Sequence, residues 1–126
     1  MKPFAAALLI ILVTRTAVCA AGGLTGTWQY ADRRGALRLT FADDYSYRVD
    51  WNNDGRADIN GIYEYWDDRV ILRNEFPAGA TDCASPGVYA ARREGDRLTF
   101  SLNSDDCLPR RAALREAFVL DRAIWR

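Results

Sequence analysis

Apolar residues recur at every second position along most of this chain, in runs too short for anything but strands. Leu37, Leu39 and Phe41 alternate with Arg38 and Thr40, and Tyr45, Tyr47, Val49 and Trp51 alternate with Ser46, Arg48 and Asp50. Successive side chains of a strand point to opposite faces, so each run reads as a strand with one buried face. Similar runs cover residues 57–66, 69–75, 87–93 and 97–103, separated by turn chemistry at Asn53-Asp54-Gly55, Asp67-Asp68 and Glu94-Gly95-Asp96. Residues 25–31 and 118–125 complete a set of eight. Connections this short make neighbouring strands antiparallel. An open meander would expose two unpaired edges, whereas closure removes them, so the expected fold is all-β: an eight-stranded antiparallel up-and-down barrel.

One segment breaks the alternation. Asp105-Asp106-Cys107-Leu108-Pro109 precedes Arg110-Arg111-Ala112-Ala113-Leu114-Arg115-Glu116, with Asp106 or a neighbour available as cap and Pro109 suited to a first turn. A helix of about two turns is expected before the last strand, closing one end of the barrel. Cys107 would tie its start to the loop at 76–86, with the hairpin at 50–58 lying elsewhere.

The N-terminus belongs to a different class of segment. Lys2, an apolar run at 4–13 and small residues around Val18-Cys19-Ala20-Ala21 form a secretory signal pattern, with cleavage expected after Ala20 or Ala21. The chain thus divides into a signal peptide at 1–20 and one barrel domain at 21–126, periplasmic or secreted. The run falls short of the roughly 20 residues that span a bilayer, so no transmembrane segment is expected after cleavage. Retention of Cys19 as a lipid-modified residue is the weaker alternative, since Val18 and Thr16 fit that signal poorly.

Export bears on the cysteines. Once Cys19 is removed, Cys83 and Cys107 form an even pair in an oxidising compartment, and a disulfide is expected rather than two buried thiols. No histidine is present to build a zinc site with them. Lys2 and Arg15 also leave with the leader, so 15 arginines face 17 Asp and Glu residues, and nucleic acid is not an implied partner.

The nine residues at 50–58 carry a sharper pattern, D-x-N-x-D-G-x-x-D. Ca²⁺ takes six to eight hard oxygens, and alternate Asp and Asn side chains with a glycine at the bend suit one short loop for that purpose. Asp50, Asn52, Asp54, Arg56 and Asp58 are the candidate metal residues, and calcium the candidate cofactor. The competing reading is a β-hairpin turn whose Asn-Asp-Gly tolerates positive φ while the outer aspartates are solvated. Gly61 stands where an EF-hand supplies its bidentate Glu, and strands flank the loop. It resembles instead the calcium hairpins of FG-GAP propeller repeats.

Leu24-Thr25-Gly26-Thr27-Trp28 resembles the opening G-x-W strand of the calycin superfamily, which includes lipocalins, fatty-acid-binding proteins and avidins. The resemblance implies a lipocalin-like barrel in which a late arginine, Arg122 or Arg126, lies across Trp28 as structural closure. Residues 50–61, Gly87-Val88-Tyr89 and Asp105-Asp106-Cys107 with Arg111 are similar to small secreted lipocalin-like bacterial proteins. Avidins match only at 24–28, so biotin binding does not carry over.

Tyr45, Tyr47, Trp51, Tyr63 and Tyr65 cluster on the strands joined by the 50–58 loop, together with Trp66. They are either core packing or the lining for an apolar ligand. Catalysis has little to work with: there is no histidine, and the carboxylate pairs Asp43-Asp44, Asp67-Asp68 and Asp105-Asp106 lie in expected turns. No enzyme is expected. The resemblance favours a carrier of a small apolar molecule; the alternative is a solid barrel that engages an envelope protein, such as a periplasmic inhibitor, although the S-G-x-x-Y motif of lysozyme inhibitors is missing. A cavity of roughly 300 Å³ or more would mark the carrier.

Overall fold

Leu37, Leu39 and Phe41 are buried, as are Tyr47 and Val49 on the next strand and Val70 and Leu72 further on, while the residues between them face outward. That alternation builds the molecule. The computed structural model describes residues 23–32, 35–76 and 83–122, and the signal pattern at 1–20 lies outside them, as does Arg126. Eight strands follow in order: β1 (Gly26–Asp32), β2 (Gly35–Phe41), β3 (Ser46–Asp50), β4 (Ile59–Trp66), β5 (Arg69–Phe76), β6 (Gly87–Glu94), β7 (Arg97–Ser104) and β8 (Phe118–Leu120), with one helix, α1 (Leu108–Ala113), before the last. All neighbours pair antiparallel, and β8 returns to β1 through Trp28–Leu120 and Gln29–Val119, so the barrel is closed.

Because consecutive strands are neighbours throughout, every other connection lies at the same end. The 51–58 loop, the β5–β6 loop that carries Cys83, and the segment containing α1 all belong to one end, called here the helix end. This corrects the expectation that the 50–58 hairpin lies away from the disulfide: the up-and-down order places both on one rim. The opposite, tight-turn end holds only connections of two to four residues, including the two-residue β4–β5 turn, where Asp67 and Asp68 both take positive φ (51° and 59°) as a type I′ hairpin requires.

Trp28 plugs the tight-turn end. Its indole N–H donates to the Leu24 carbonyl at 2.8 Å, and the guanidinium over its ring, 5.0 Å from the centroid, belongs to Arg93. Arg93 also donates to the Gly23 carbonyl at 2.8 Å. A β6 arginine thus lies over Trp28, in the place expected for a late arginine; of the two candidates, Arg126 lies outside the described residues and Arg122 is elsewhere. Arg93 falls on the inward face of β6 in step with Tyr89 and Ala91, whereas Arg122 lies past the end of β8 and pairs with Asp96 on the surface.

One element is shorter than expected: β8 ends at Leu120, whereas α1, six residues long, is the expected short helix of about two turns. No side chain caps it in the usual way; Cys107 takes the cap position, and Asp105 accepts the Cys107 N–H at 2.9 Å. Tyr45, expected to open β3, sits in the preceding turn with φ 67°.

Candidate functional site

The 50–58 loop is shaped by its own carboxylates. Positive φ at Asn53 (56°) and Gly55 (84°) curls the chain back over Asp50. Asp50 Oδ1 accepts the Asp54 N–H at 3.1 Å and Oδ2 the Gly55 N–H at 2.9 Å. Asp54 accepts the Arg56 N–H, and Asp58 accepts the Trp51 N–H, both at 2.8 Å. The Asn52 amide, with its nitrogen turned inward, lies 3.1 Å from Asp50 and 3.2 Å from Asp54. Burial pulls the Asp50 carboxyl upward, but the N–H groups of Gly55, Asp54 and Asn52 outweigh it and hold the group below the usual carboxylate range. Asp50, Asn52, Asp54, Arg56 and Asp58 are thus gathered into a hairpin tip whose oxygens already accept main-chain N–H groups. Among the described residues, no three His, Cys, Asp or Glu side chains form a group arranged to hold a metal ion.

The aromatic candidates separate by face. Tyr47 and Tyr63 are in the core, Trp51 and Tyr65 pack against it, and Tyr45 is 62% exposed. Ring contacts run through the interior without a break: Tyr30 to Phe118 (centroids 5.1 Å), Phe118 to Phe100 (5.9 Å), Phe100 to Phe41 (6.4 Å) and Phe41 to Tyr63 (4.8 Å). Tyr89 adds an edge contact to Phe100 at 6.2 Å. Such a chain of rings occupies the space that a lipocalin-type ligand would need, since an eight-stranded barrel is just wide enough for side chains to fill.

The helix end is filled by charge. Residues 110, 113 and 114 lie on one face at helical spacing, and all three are buried. Arg110 points into the barrel. Its guanidinium donates to Asp105 from Nε and Nη2 (both 2.7 Å), to Asn74 of β5 from Nη1 (2.9 Å) and to the Ser85 carbonyl (2.9 Å). The Tyr47 hydroxyl also bonds Asn74, and the Tyr89 hydroxyl bonds Asp105. Gly87 is required here, because a Cβ would sit 2.6 Å from Asp105 Oδ2 and 2.7 Å from Arg110 Nε. The Cys83–Cys107 disulfide spans the same corner, tying the β5–β6 loop to the start of α1.

Electrostatics in this cluster favour one protonation pattern. Burial would raise the Asp105 carboxyl, yet hydrogen bonds from Arg110, Tyr89 and the Cys107 N–H hold it below its ordinary value. Burial pushes the Tyr47 hydroxyl up to about 12, and burial together with Asp105 raises Tyr89. The result is a fully bonded ion pair with two neutral phenols.

Two hollows remain around the mouth. One, about 250 Å³, is bordered by Tyr30, Ala36, Leu37, Trp51, Ala112 and Arg115; the other, about 200 Å³, lies between Tyr89, Phe100, Leu102 and the helix residues Arg111, Leu114 and Arg115. Both are smaller than the cavity expected of a carrier. Comparison with protein-family models, curated proteins and solved structures finds no match.

Sequence reasoning missed the Arg110 cluster and the place of Arg93. The helical spacing of Arg110, Ala113 and Leu114, and the strand parity of Arg93 with Tyr89 and Ala91, were the available signals. The adjacent carboxylates also separate: Asp44 Oδ1 accepts the Ser46 N–H at 2.9 Å in a surface turn, Asp67 and Asp68 form a hairpin, and Asp105 is buried while Asp106 is exposed.

Proposed function

We propose that this chain is an exported, calycin-like binding module that engages an envelope protein through its surface rather than a small apolar molecule through its interior. The observation that carries this reading is the filled barrel: interior rings from Tyr30 to Tyr63 and the Arg110 cluster stand where a carrier needs space. A calycin-like identity is supported by the closed eight-stranded order and by a first-strand tryptophan under an arginine. Export is supported by the apolar leader and by the Cys83–Cys107 disulfide, a crosslink that persists in oxidising compartments.

A surface for such a partner is available on the outer side of β4. Ile62 and Trp66, 41% and 51% exposed, lie one residue out of step with the buried Tyr63, against whose ring the exposed Tyr45 packs. Arg69 and Arg73 of β5 flank the pair through Trp66–Arg69 and Ile62–Arg73. Exposed aromatic residues with neighbouring arginines have the composition of an interaction surface.

The test has two arms. Titration with 1-N-phenylnaphthylamine should give no saturable fluorescence increase in the oxidised protein, and micromolar saturation would restore the carrier reading. A photo-crosslinking residue at Trp66 in the exporting cell should give an adduct of one defined mass, and the same residue at Asn103 should not. Adducts at neither position, or equally at both, would refute the β4 surface.

A further inference from the structure

On the outer face of β1–β3 the alternation that buries Trp28, Leu39 and Val49 turns Thr27, Arg38, Thr40, Arg48 and Asp50 outward. The 51–58 loop brings Arg56 to the same place, and together they border a hollow of about 180 Å³. Three guanidinium groups from three separate positions on the chain therefore share one groove with two hydroxyls.

The carboxylates near this groove are already engaged. Asp50 is the one carboxylate in the lining, and its two oxygens accept the Asp54 and Gly55 N–H groups. Asp121, buried at the edge, accepts Arg38 Nη2 at 2.9 Å and so fixes the Arg38 fork. With that end fixed, Arg38 Nε is buried and has no hydrogen-bond partner among the described residues. A buried N–H left unpaired is costly, which makes Arg38 an unusual donor to leave unsatisfied in an otherwise well-bonded barrel. Arg48 and Arg56 have no ion-pair partner among the described residues. Thr27 and Thr40 hydroxyls lie 3.2 Å apart, so one donates to the other and the acceptor's own O–H remains for a ligand.

We propose that this groove binds a phosphate-type oxyanion: a tetrahedral, multiply charged group held by Arg38, Arg48 and Arg56 with a threonine hydroxyl. Planar guanidinium forks match oxyanion geometry, and donors approaching from β2, β3 and the loop suit four tetrahedral oxygens better than one flat carboxylate. The inference does not depend on the β4 surface, none of whose residues lines this groove. It gives the 50–58 loop a role opposite in sign to cation binding: its aspartates fold the hairpin, and the folded hairpin delivers Arg56.

Calorimetric titration of the oxidised protein with inorganic phosphate, against chloride at the same ionic strength, tests this. Phosphate should bind saturably at one site. Arg48→Gln and Arg56→Gln, both at exposed positions, should each weaken it by at least about tenfold, the loss expected for one charge-assisted hydrogen bond. Arg92→Gln, at a surface arginine paired with Glu94 on β6, should leave binding unchanged. Melting curves of each variant confirm that the fold survives. Glycerol 3-phosphate and vesicles of phosphatidic acid or phosphatidylcholine distinguish the source: binding that depends on Arg48 and extends to phosphatidic acid alone among the lipids assigns a headgroup, and binding confined to soluble phosphate assigns a free anion. No heat beyond the chloride control, or undiminished binding in Arg48→Gln and Arg56→Gln, overturns the proposal.

Discussion

Two buried aspartates hold loops at the same end of this barrel, and they do so with different kinds of partner. Asp105 is buried, meets Arg110 through two 2.7 Å contacts, and sits beside a covalent bridge. Asp50, itself buried, meets no cation: it accepts the Asp54 and Gly55 N–H groups and the Asn52 amide of its own hairpin, whose tip is exposed. Buried, Asp105 and Arg110 depend on each other, because removing one leaves the other as an uncompensated charge in the interior. On the hairpin, the partners of Asp50 at residues 52–55 are exposed, so their N–H groups can turn to solvent if the carboxylate is lost. The helix end therefore has a rigid half and a replaceable half, and substitutions should tell them apart.

The largest effect is expected at the rigid half. Asp105→Ala should cost about 3–5 kcal/mol in denaturant unfolding, the range for breaking a buried pair. The double variant Asp105→Leu with Arg110→Met should recover most of that loss; recovery of none would mean that the hydrogen bonds to Asn74, Ser85 and Tyr89, rather than charge pairing, hold the corner. The same carboxylate sets an acid limb. Its folded pKa is lowered, so its stabilisation is complete above the unfolded value of about 3.9 and is lost as pH falls below that toward the folded value. Asp105→Asn, if it folds, should flatten this limb in stability measured between about pH 5 and 2.

Loss of the bridge should come next. Cys83→Ser, or reduction of the wild-type protein, should remove about 3 kcal/mol, as expected for a crosslink closing a loop of 24 residues. An unchanged midpoint would mean that the Arg110 cluster alone fixes the β5–β6 loop.

At the replaceable half, Asp50→Ala should cost about 1 kcal/mol, the scale of a lost capping interaction. A loss as large as that of Asp105→Ala would erase the contrast between the two regions. Smallest of all is the response to metal: millimolar CaCl₂ and EDTA should give the same melting temperature, in wild type and in Asp54→Ala. A calcium site filled to 100 times its dissociation constant would instead stabilise the protein by about 2.7 kcal/mol, and a shift of that kind in wild type alone would place the ion back in the loop.

The strands were legible because parity and turn chemistry are local properties: residues such as Leu37, Leu39 and Phe41 declare their face without reference to the rest of the chain. The Cys83–Cys107 bridge was legible because only two of the three cysteines lie beyond residue 20. The Arg110 cluster was not, since its partners Asn74 and Ser85 lie 36 and 25 residues away and nothing in the local sequence announces them. The 50–58 loop was legible as a turn but ambiguous in its chemistry. The same Asp and Asn spacing serves a cation or the main chain, and the spacing by itself does not distinguish them; positive φ at Asn53 and Gly55 is what brings main-chain N–H groups to Asp50. Arg122 misled because a family pattern gave the role and not the strand; Arg93 supplies the same stacking from β6.

The pairing of β1 with β8 governs how the domain can be mounted. Leu120 N–H bonds the Asp96 carbonyl and Asp121 N–H bonds the Thr27 carbonyl, so the described chain enters and leaves at the tight-turn end, on adjacent strands. A tether on either terminus would therefore hold the barrel like a knob on a stalk, with α1, the disulfide corner and the hairpin tip presented outward. Joining the two ends by a short linker and reopening the chain in the Asp67-Asp68 turn should yield a circular permutant with the same crown.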